Sequence, residues 1–312
     1  MPEMPDAERP RGAVRADGGL GVDAPGGVRR FSHEAMATYF EVYAAHPDAQ
    51  YAGQAAHAAF DLIDRLEREL SRFIPNSDIS RINALGAGEA TQIGASALEC
   101  LVIARHMYEL TGGAFDVSIG TGLPSLELDP DRFLVRPAGT GVRVDLGGIG
   151  KGYAVDRMAE LLEEWGIGSA LVHGGFSSIL AMAPPPGRAG WPLTMSDPTS
   201  PSRVLRRQSL TQTAIGASGL QKGAHIVDPR SGRPVHGRAA AWVALPRPEP
   251  RGAGGQPDAP RLAASAVVDA LTTAFMLLGL DEIEALCAGS PGLEAWILSG
   301  DQAELRHFGR AA

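Results

Sequence analysis

The 312-residue chain is long enough for one large or two modest domains, and its 44% hydrophobic and 21% charged residues fit a globular protein rather than a disordered or fibrous one. A formal net charge of −8 argues against sequence-independent binding of nucleic acid, and no run approaches the roughly 20 apolar residues that cross a bilayer. Cys100 and Cys287 lack paired spacing and sit in apolar, helix-like contexts, so they read as core residues rather than a disulfide framework or a zinc site.

Residues 1–28 mix Pro, Gly, Ala and both charge signs without periodicity; they predict a disordered tail ahead of a folded domain over 29–312. Arg29-Arg30-Phe31 resembles a twin-arginine start, but no apolar stretch follows it, which makes the cytoplasm the expected compartment. Alternation over Thr38 to Ala44 predicts a strand, and Tyr51, Ala55, Ala59, Leu62, Ile63, Leu66 and Leu70 recur with helical spacing. A second helix is expected over Ala95 to Leu110, closed by Thr111-Gly112-Gly113.

Arg143 to Leu146 reads as a short strand leading into Gly147, Gly148, Gly150 and Gly152. That cluster opens a helix with an apolar face of Ala154, Met158, Leu161, Leu162 and Trp165 and a stop at Gly166 or Gly168. Strands over Ser169 to Val172 and Ser178 to Ala183 flank Gly174-Gly175, and others are expected at Thr213 to Ala217, Ala239 to Leu245 and Glu294 to Leu298. The Pro/Gly-rich stretch 246–260 reads as a surface insertion, and the last long helix covers Ala264 to Leu278. Strands and helices interleave without strict βαβ alternation, which predicts a single α+β domain with a mixed or antiparallel sheet core and packed helices.

Three segments can carry chemistry. The glycine cluster is not a P-loop, which would need Gly and then Ser or Thr where Asp145 and Gly152 stand, nor a dinucleotide fingerprint, which would need Gly in place of Tyr153. What remains is a strand-to-helix turn that combines a carboxylate, glycines and Lys151; it is either an anion-binding bend or a tight turn with a solvated lysine. His225 precedes an Asp228-Pro229 turn, and a histidine there either moves protons or makes a structural hydrogen bond. In the last helix Asp269 and Thr273 are four residues apart, so their oxygens share one face. A carboxylate and a hydroxyl completed by carbonyls and water suit Mg²⁺ better than Zn²⁺, although local capping and back-bonding would account for both side chains equally well.

Taken in order, Met36-Ala37-Thr38, Leu70 to Phe73 with Ser77 to Asn83, Thr111 to Asp116, the Asp145 to Asp156 turn, Gly174-Gly175, Ser218-Gly219, His225 to Gly232 and Asp269 to Thr273 resemble the ApbE-type FAD:protein FMN transferases over about residues 31–280. The resemblance implies an enzyme that takes FAD as substrate with Mg²⁺, attaches FMN through a phosphodiester to a Thr or Ser hydroxyl of an acceptor protein, and releases AMP. It puts the metal site on Asp269 and Thr273, with carbonyl help from Gly148 and Thr272. Asp145, Lys151, Met36 and Ala114-Phe115-Asp116 match FAD-contacting positions, Phe73 matches an aromatic ring set against the flavin nucleotide, and Val227 matches a backbone contact. His225 matches a histidine near the diphosphate, as base or phosphate ligand.

Two positions depart from the family pattern: Ala37 stands where Gly is usual, and Phe176 follows Gly174-Gly175 where Asp or Asn is common. Phe176 supports a rival in which the same fold carries FAD without transferring it, and hydrolysis of FAD to FMN and AMP is a third possibility.

Overall fold

The computed structural model describes residues 15–16, 27–175, 177–198, 200–219, 226–235, 237–247, 263–300 and 304–309. In chain order the elements are β1 (Arg15–Ala16), β2 (Val28–Ala35), β3 (Thr38–Ala45), α1 (Ala49–Leu70), α2 (Asp78–Asn83), β4 (Thr91–Gln92), α3 (Ala95–Leu110), β5 (Leu126–Asp129), β6 (Leu134–Pro137) and α4 (Gly150–Glu164). They continue with β7 (Ala170–Gly174), β8 (Ser178–Ala181), β9 (Trp191–Asp197), β10 (Ser200–Leu210), β11 (Thr213–Gly219), β12 (Val227–Asp228), β13 (Arg233–Pro234), β14 (Arg238–Pro246), α5 (Ala264–Phe275), α6 (Leu280–Gly289), β15 (Glu294–Ser299) and β16 (Leu305–Phe308).

Eight strands make one antiparallel sheet in the order β16-β15-β14-β11-β8-β7-β3-β2. Side chains alternate between its faces as strand geometry requires. Phe40, Val42, Val172, Leu180 and Val243 point into the core beneath the helices, while Leu171, Ile179, Ile215, Trp242 and Trp296 point the other way. The far face is covered by the hairpin of β9 and β10, whose Trp191, Leu193 and Met195 complete a second apolar layer. The result is an α+β domain whose six α-helices among the described residues include α4 and α5, packed on each other and against β8 and β11.

Local chemistry explains the element ends. Asp48 accepts the N–H groups of Gln50 and Tyr51 to start α1, which then buries Ala52, Ala55, Ala59, Ile63, Leu66 and Leu70 along one stripe. Met36 and Ala37, with φ of 51° and 55°, form the two-residue turn joining β2 to β3. Such paired left-handed residues match the twist of a hairpin, but favour Gly, which has no Cβ, or Asn and Asp, whose side chains bond the local main chain. Arg238 donates to the carbonyls of Phe275 and Leu278 and so closes the C-terminal end of α5, which stops three residues short of the expected Leu278.

Other expectations need correction. Arg143 to Leu146 is not a strand: the Asn83 side chain takes both main-chain groups of Val144, accepting its N–H at 2.6 Å and donating to its C=O at 2.9 Å. Leu146–Gly148 then winds into a short 3₁₀ turn. β2, the β9–β10 hairpin, α2, α6 and β16 are elements that the sequence pattern did not announce. Of the predicted tail, only residues 15–16 and 27–28 are among those described; the first two pair with β9 and Val28 opens β2. The predicted insertion of 246–260 lies outside the described residues from 248 onward; its first two residues are ordered parts of the fold, Pro246 ending β14 and Arg247 pairing with Glu163 of α4. Both cysteines are buried and free, and no described helix is long and apolar enough to cross a membrane.

Candidate functional site

The site forms where the glycine turn ahead of α4 meets α5. Asp145 caps the turn by accepting the Gly147 N–H at 2.9 Å, and its other oxygen pairs with Arg72 Nε at 2.8 Å. The Arg72 guanidinium lies 4.1 Å from the centre of the Phe73 ring, and that ring is 77% exposed, the most open large apolar side chain among the described residues. The Asp145 N–H bonds the Val117 carbonyl at 2.8 Å, which sets Ala114-Phe115-Asp116 beside the turn. A methyl group on Gly148 would come within 3.1 Å of the Phe115 ring and 3.6 Å of Thr273 Oγ1, so the glycine lets turn, ring and helix converge.

Asp269 is 3% exposed and sits at the centre of the convergence. Its Oδ2 accepts the Gly152 N–H at 3.1 Å and lies 3.6 Å from Lys151 Nζ, which itself donates to the Gly147 carbonyl. Burial pushes the Asp269 carboxyl above its ordinary range. The Lys151 charge, the Gly152 N–H and the Ser178 hydroxyl, which stands beside it without closing a full hydrogen bond, pull the other way. Thr272 is fully buried: its hydroxyl donates to the Asp269 carbonyl at 2.8 Å and accepts from Ser218 at 3.0 Å. Thr273 is more open, and among the described residues its hydroxyl makes a long 3.4 Å bond to the same carbonyl.

The other expected residues among those described lie in segments that adjoin this turn directly or through one another. Thr38, next to the Met36–Ala37 turn, and the Lys151 stem both lie within 3.3 Å of where a Gly175 Cβ would stand, so the β2–β3 hairpin reaches the lysine. Asp116 is occupied in shaping its own loop: one oxygen takes the N–H and hydroxyl of Ser118, the other the Gly120 N–H. Val227 lies in β12, and the turn after it touches that loop, since a methyl on Gly120 would meet the Pro229 carbonyl at 2.7 Å. Asp228 is held below its usual range chiefly by its hydrogen bonds from Arg230. His225 and Phe176 lie outside the described residues.

The sequence model described as the ApbE family matches residues 36–249. The chain belongs to the ApbE family. Among curated relatives it is similar to the FAD:protein FMN transferase of Treponema pallidum (strain Nichols), 25% identical over 312 aligned residues that span 84% of this chain and 81% of that one. It is also similar to the FAD:protein FMN transferase of Vibrio cholerae, 24% identical over 59% of this chain and 66% of the relative. Solved structures share the fold: flavin transferase ApbE from Vibrio cholerae superposes with a TM-score of 0.75 at 19% identity, over 90% of this chain and 97% of that one. The ApbE protein from Thermotoga maritima gives a TM-score of 0.76 at 20% identity and the same coverage.

In this ApbE-family chain, four residues make contacts that their place in sequence does not announce. Arg72 is adjacent to the aromatic position but reaches Asp145 across the fold. Ser178 and Ser218 come from sheet strands, and only the register of β8 against β11 brings them beneath α5. Asp156 ends the Asp145 to Asp156 segment, yet its partners are the main-chain N–H groups of Ser265 and Ala266, at 3.0 and 2.9 Å. Only its place in the ordered motif hinted at a role. No group of three or more His, Cys, Asp or Glu able to hold a metal occurs among the described residues.

Proposed function

We propose that the chain transfers FMN from FAD to a Thr or Ser hydroxyl of an acceptor protein, releasing AMP, with Mg²⁺ bound at the α5 site. The observation that supports this best is the buried Asp269 carboxylate facing both Lys151 and the glycine turn. In the reaction the acceptor oxygen bonds to the FMN-side phosphorus as the P–O bond to AMP breaks, and the hydroxyl proton passes to a base. Such a transfer demands alignment and charge neutralisation more than covalent help from the protein.

The donor set suits a hard cation, being oxygen only: the Asp269 carboxylate, the Thr273 hydroxyl and the Gly148 carbonyl, with the Thr272 carbonyl as a further candidate. When bound, Mg²⁺ supplies positive charge against the diphosphate oxygens. Lys151 adds a second positive charge on the same side, and Asp145 with Met36, Ala114, Phe115, Asp116 and Val227 frames the nucleotide. The exposed Phe73 ring offers a stacking face, steadied by Arg72. His225 is the candidate proton acceptor.

The test is to incubate the protein with FAD, Mg²⁺ and a candidate acceptor, then look for flavin fluorescence on a denaturing gel. A fluorescent acceptor band that falls roughly 100-fold or more in Asp269→Asn is expected. Free FMN and AMP without a labelled band would instead show hydrolysis, and intact bound FAD would show a carrier.

A further inference from the structure

Neither α4 nor α5 has a side chain of its own to cap its first turn: Ile149 and Ala263 occupy the capping positions. The first N–H groups of any helix need partners, and buried ones left without any are costly. Here each helix caps the other. Asp156 of α4, 5% exposed, gives one oxygen to the Ser265 N–H and the other to the Ala266 N–H in the first turn of α5. Asp269 of α5 returns a bond to the Gly152 N–H in the first turn of α4.

The two helices touch at the same place, where a methyl on Gly152 would stand 2.1 Å from the Ser265 carbonyl oxygen. At its other end α5 is held by the Arg238 guanidinium on the Phe275 and Leu278 carbonyls. An anion at its start and a cation at its end both follow the helix dipole.

We propose that Asp156 is a positioning residue for the transfer reaction: by locking the start of α5 to α4 it sets where Asp269 and Thr273 stand relative to Lys151 and Gly148. It touches none of the groups proposed to bind Mg²⁺ or FAD, and acts through the reciprocal cap. The inference rests on the transferase reading for its effect on Mg²⁺, but the coupling between the two helix starts is measurable without any ligand.

The test uses the full chain and amide hydrogen exchange resolved to single residues, with Asp156→Asn as the first variant. Asn keeps the shape but presents an N–H group to one of the two donors. Exchange at Ser265 and Ala266 should speed up roughly tenfold or more, and the Gly152 N–H, which the Asp156 carboxylate does not bond, should follow them. Half-saturating Mg²⁺ should rise about tenfold, as for other groups that orient a metal ligand from outside its coordination sphere.

Asp269→Asn supplies the reciprocal measurement should Asp156→Asn fold poorly: it should loosen Ser265 and Ala266 as well as Gly152. Loss of protection confined in each variant to the amides directly contacted, with the Mg²⁺ requirement unchanged in Asp156→Asn, would reduce Asp156 to a helix cap and overturn the proposal. If the wild-type protein shows no Mg²⁺ requirement, the metal assignment fails by itself, and the exchange pattern still decides the role of Asp156.

Discussion

Gly152→Ala sets two physical effects against each other. Alanine is the better helix former by about 1 kcal/mol, so secondary-structure propensity alone predicts a more stable protein. The contact says otherwise. The added methyl would stand 2.1 Å from the Ser265 oxygen, 2.6 Å from its carbonyl carbon and 2.8 Å from the Ala266 nitrogen, all main-chain atoms that no rotamer change can move aside. Ordinary contact begins near 3.4 Å, so α4 and α5 would have to part by about 1.3 Å at this point.

Overpacking of that kind costs about 1–3 kcal/mol. The separation would also stretch the Gly152 bond to Asp269, now 3.1 Å, and the two bonds to Asp156, now 3.0 and 2.9 Å, which are hydrogen bonds to carboxylates worth about 1.5–3 kcal/mol each. If stretching forfeits about half of each bond, the net loss after the gain in helix propensity is about 2–6 kcal/mol, a large share of the roughly 5–15 kcal/mol that holds a typical domain folded. Urea unfolding of both proteins, read by circular dichroism, measures it directly. A Gly152→Ala protein as stable as the parent, or more so, would show that the helices do not meet as described.

Ala37→Gly should work in the opposite direction, relieving the left-handed φ of 55° and stabilising the protein by about 1 kcal/mol, seen as a Tm about 2–4 °C higher in calorimetry. Burial raises the Asp156 carboxyl from its ordinary value to about 6, against the pull of its two N–H bonds. The native state therefore holds this proton more tightly than the unfolded chain between about pH 4 and 6, so its contribution falls as pH rises through that window, by about 3 kcal/mol, and is level above it. Unfolding free energies at pH 4, 5, 6 and 7 should show that slope in the parent and lose it in Asp156→Asn. Arg72→Ala removes a partly exposed ion pair and should change stability by less than about 1 kcal/mol. Because it frees both Asp145 and Phe73, steady-state assays should show a raised KM for FAD with kcat less affected.

The limits of α3, Ala95 to Leu110, follow from periodicity and a Gly-Gly stop, and the structure ends the helix at the same residues. Spacing alone put Asp269 and Thr273 on one helix face and Lys151 after the glycine turn, and the structure brings the two segments together, while the roles proposed for them come from the family resemblance. What was hidden is what depends on distant partners. Val144 finds its main-chain bonds in a side chain 61 positions away, so a stretch patterned as a strand forms none. Asp156 caps a helix more than 100 residues later, whereas capping signals in a sequence are sought within three or four. The β9–β10 hairpin was obscured by Pro192, Pro201 and three arginines, and irregular pairing near Val204 breaks the alternation of β10.

Of the four tryptophans in the chain, Trp191, Trp242 and Trp296 are all buried in the layer behind the sheet, and Trp165 alone lies on the helical side. Ultraviolet emission from the protein is thus weighted toward the face remote from the proposed nucleotide site. A red shift on heating or in denaturant signals water reaching the rear hairpin, whereas the absorbance of an isoalloxazine bound at the proposed site would follow the front. Recording both in one cuvette separates loss of the ligand-binding side from collapse of its backing, without a single introduced label.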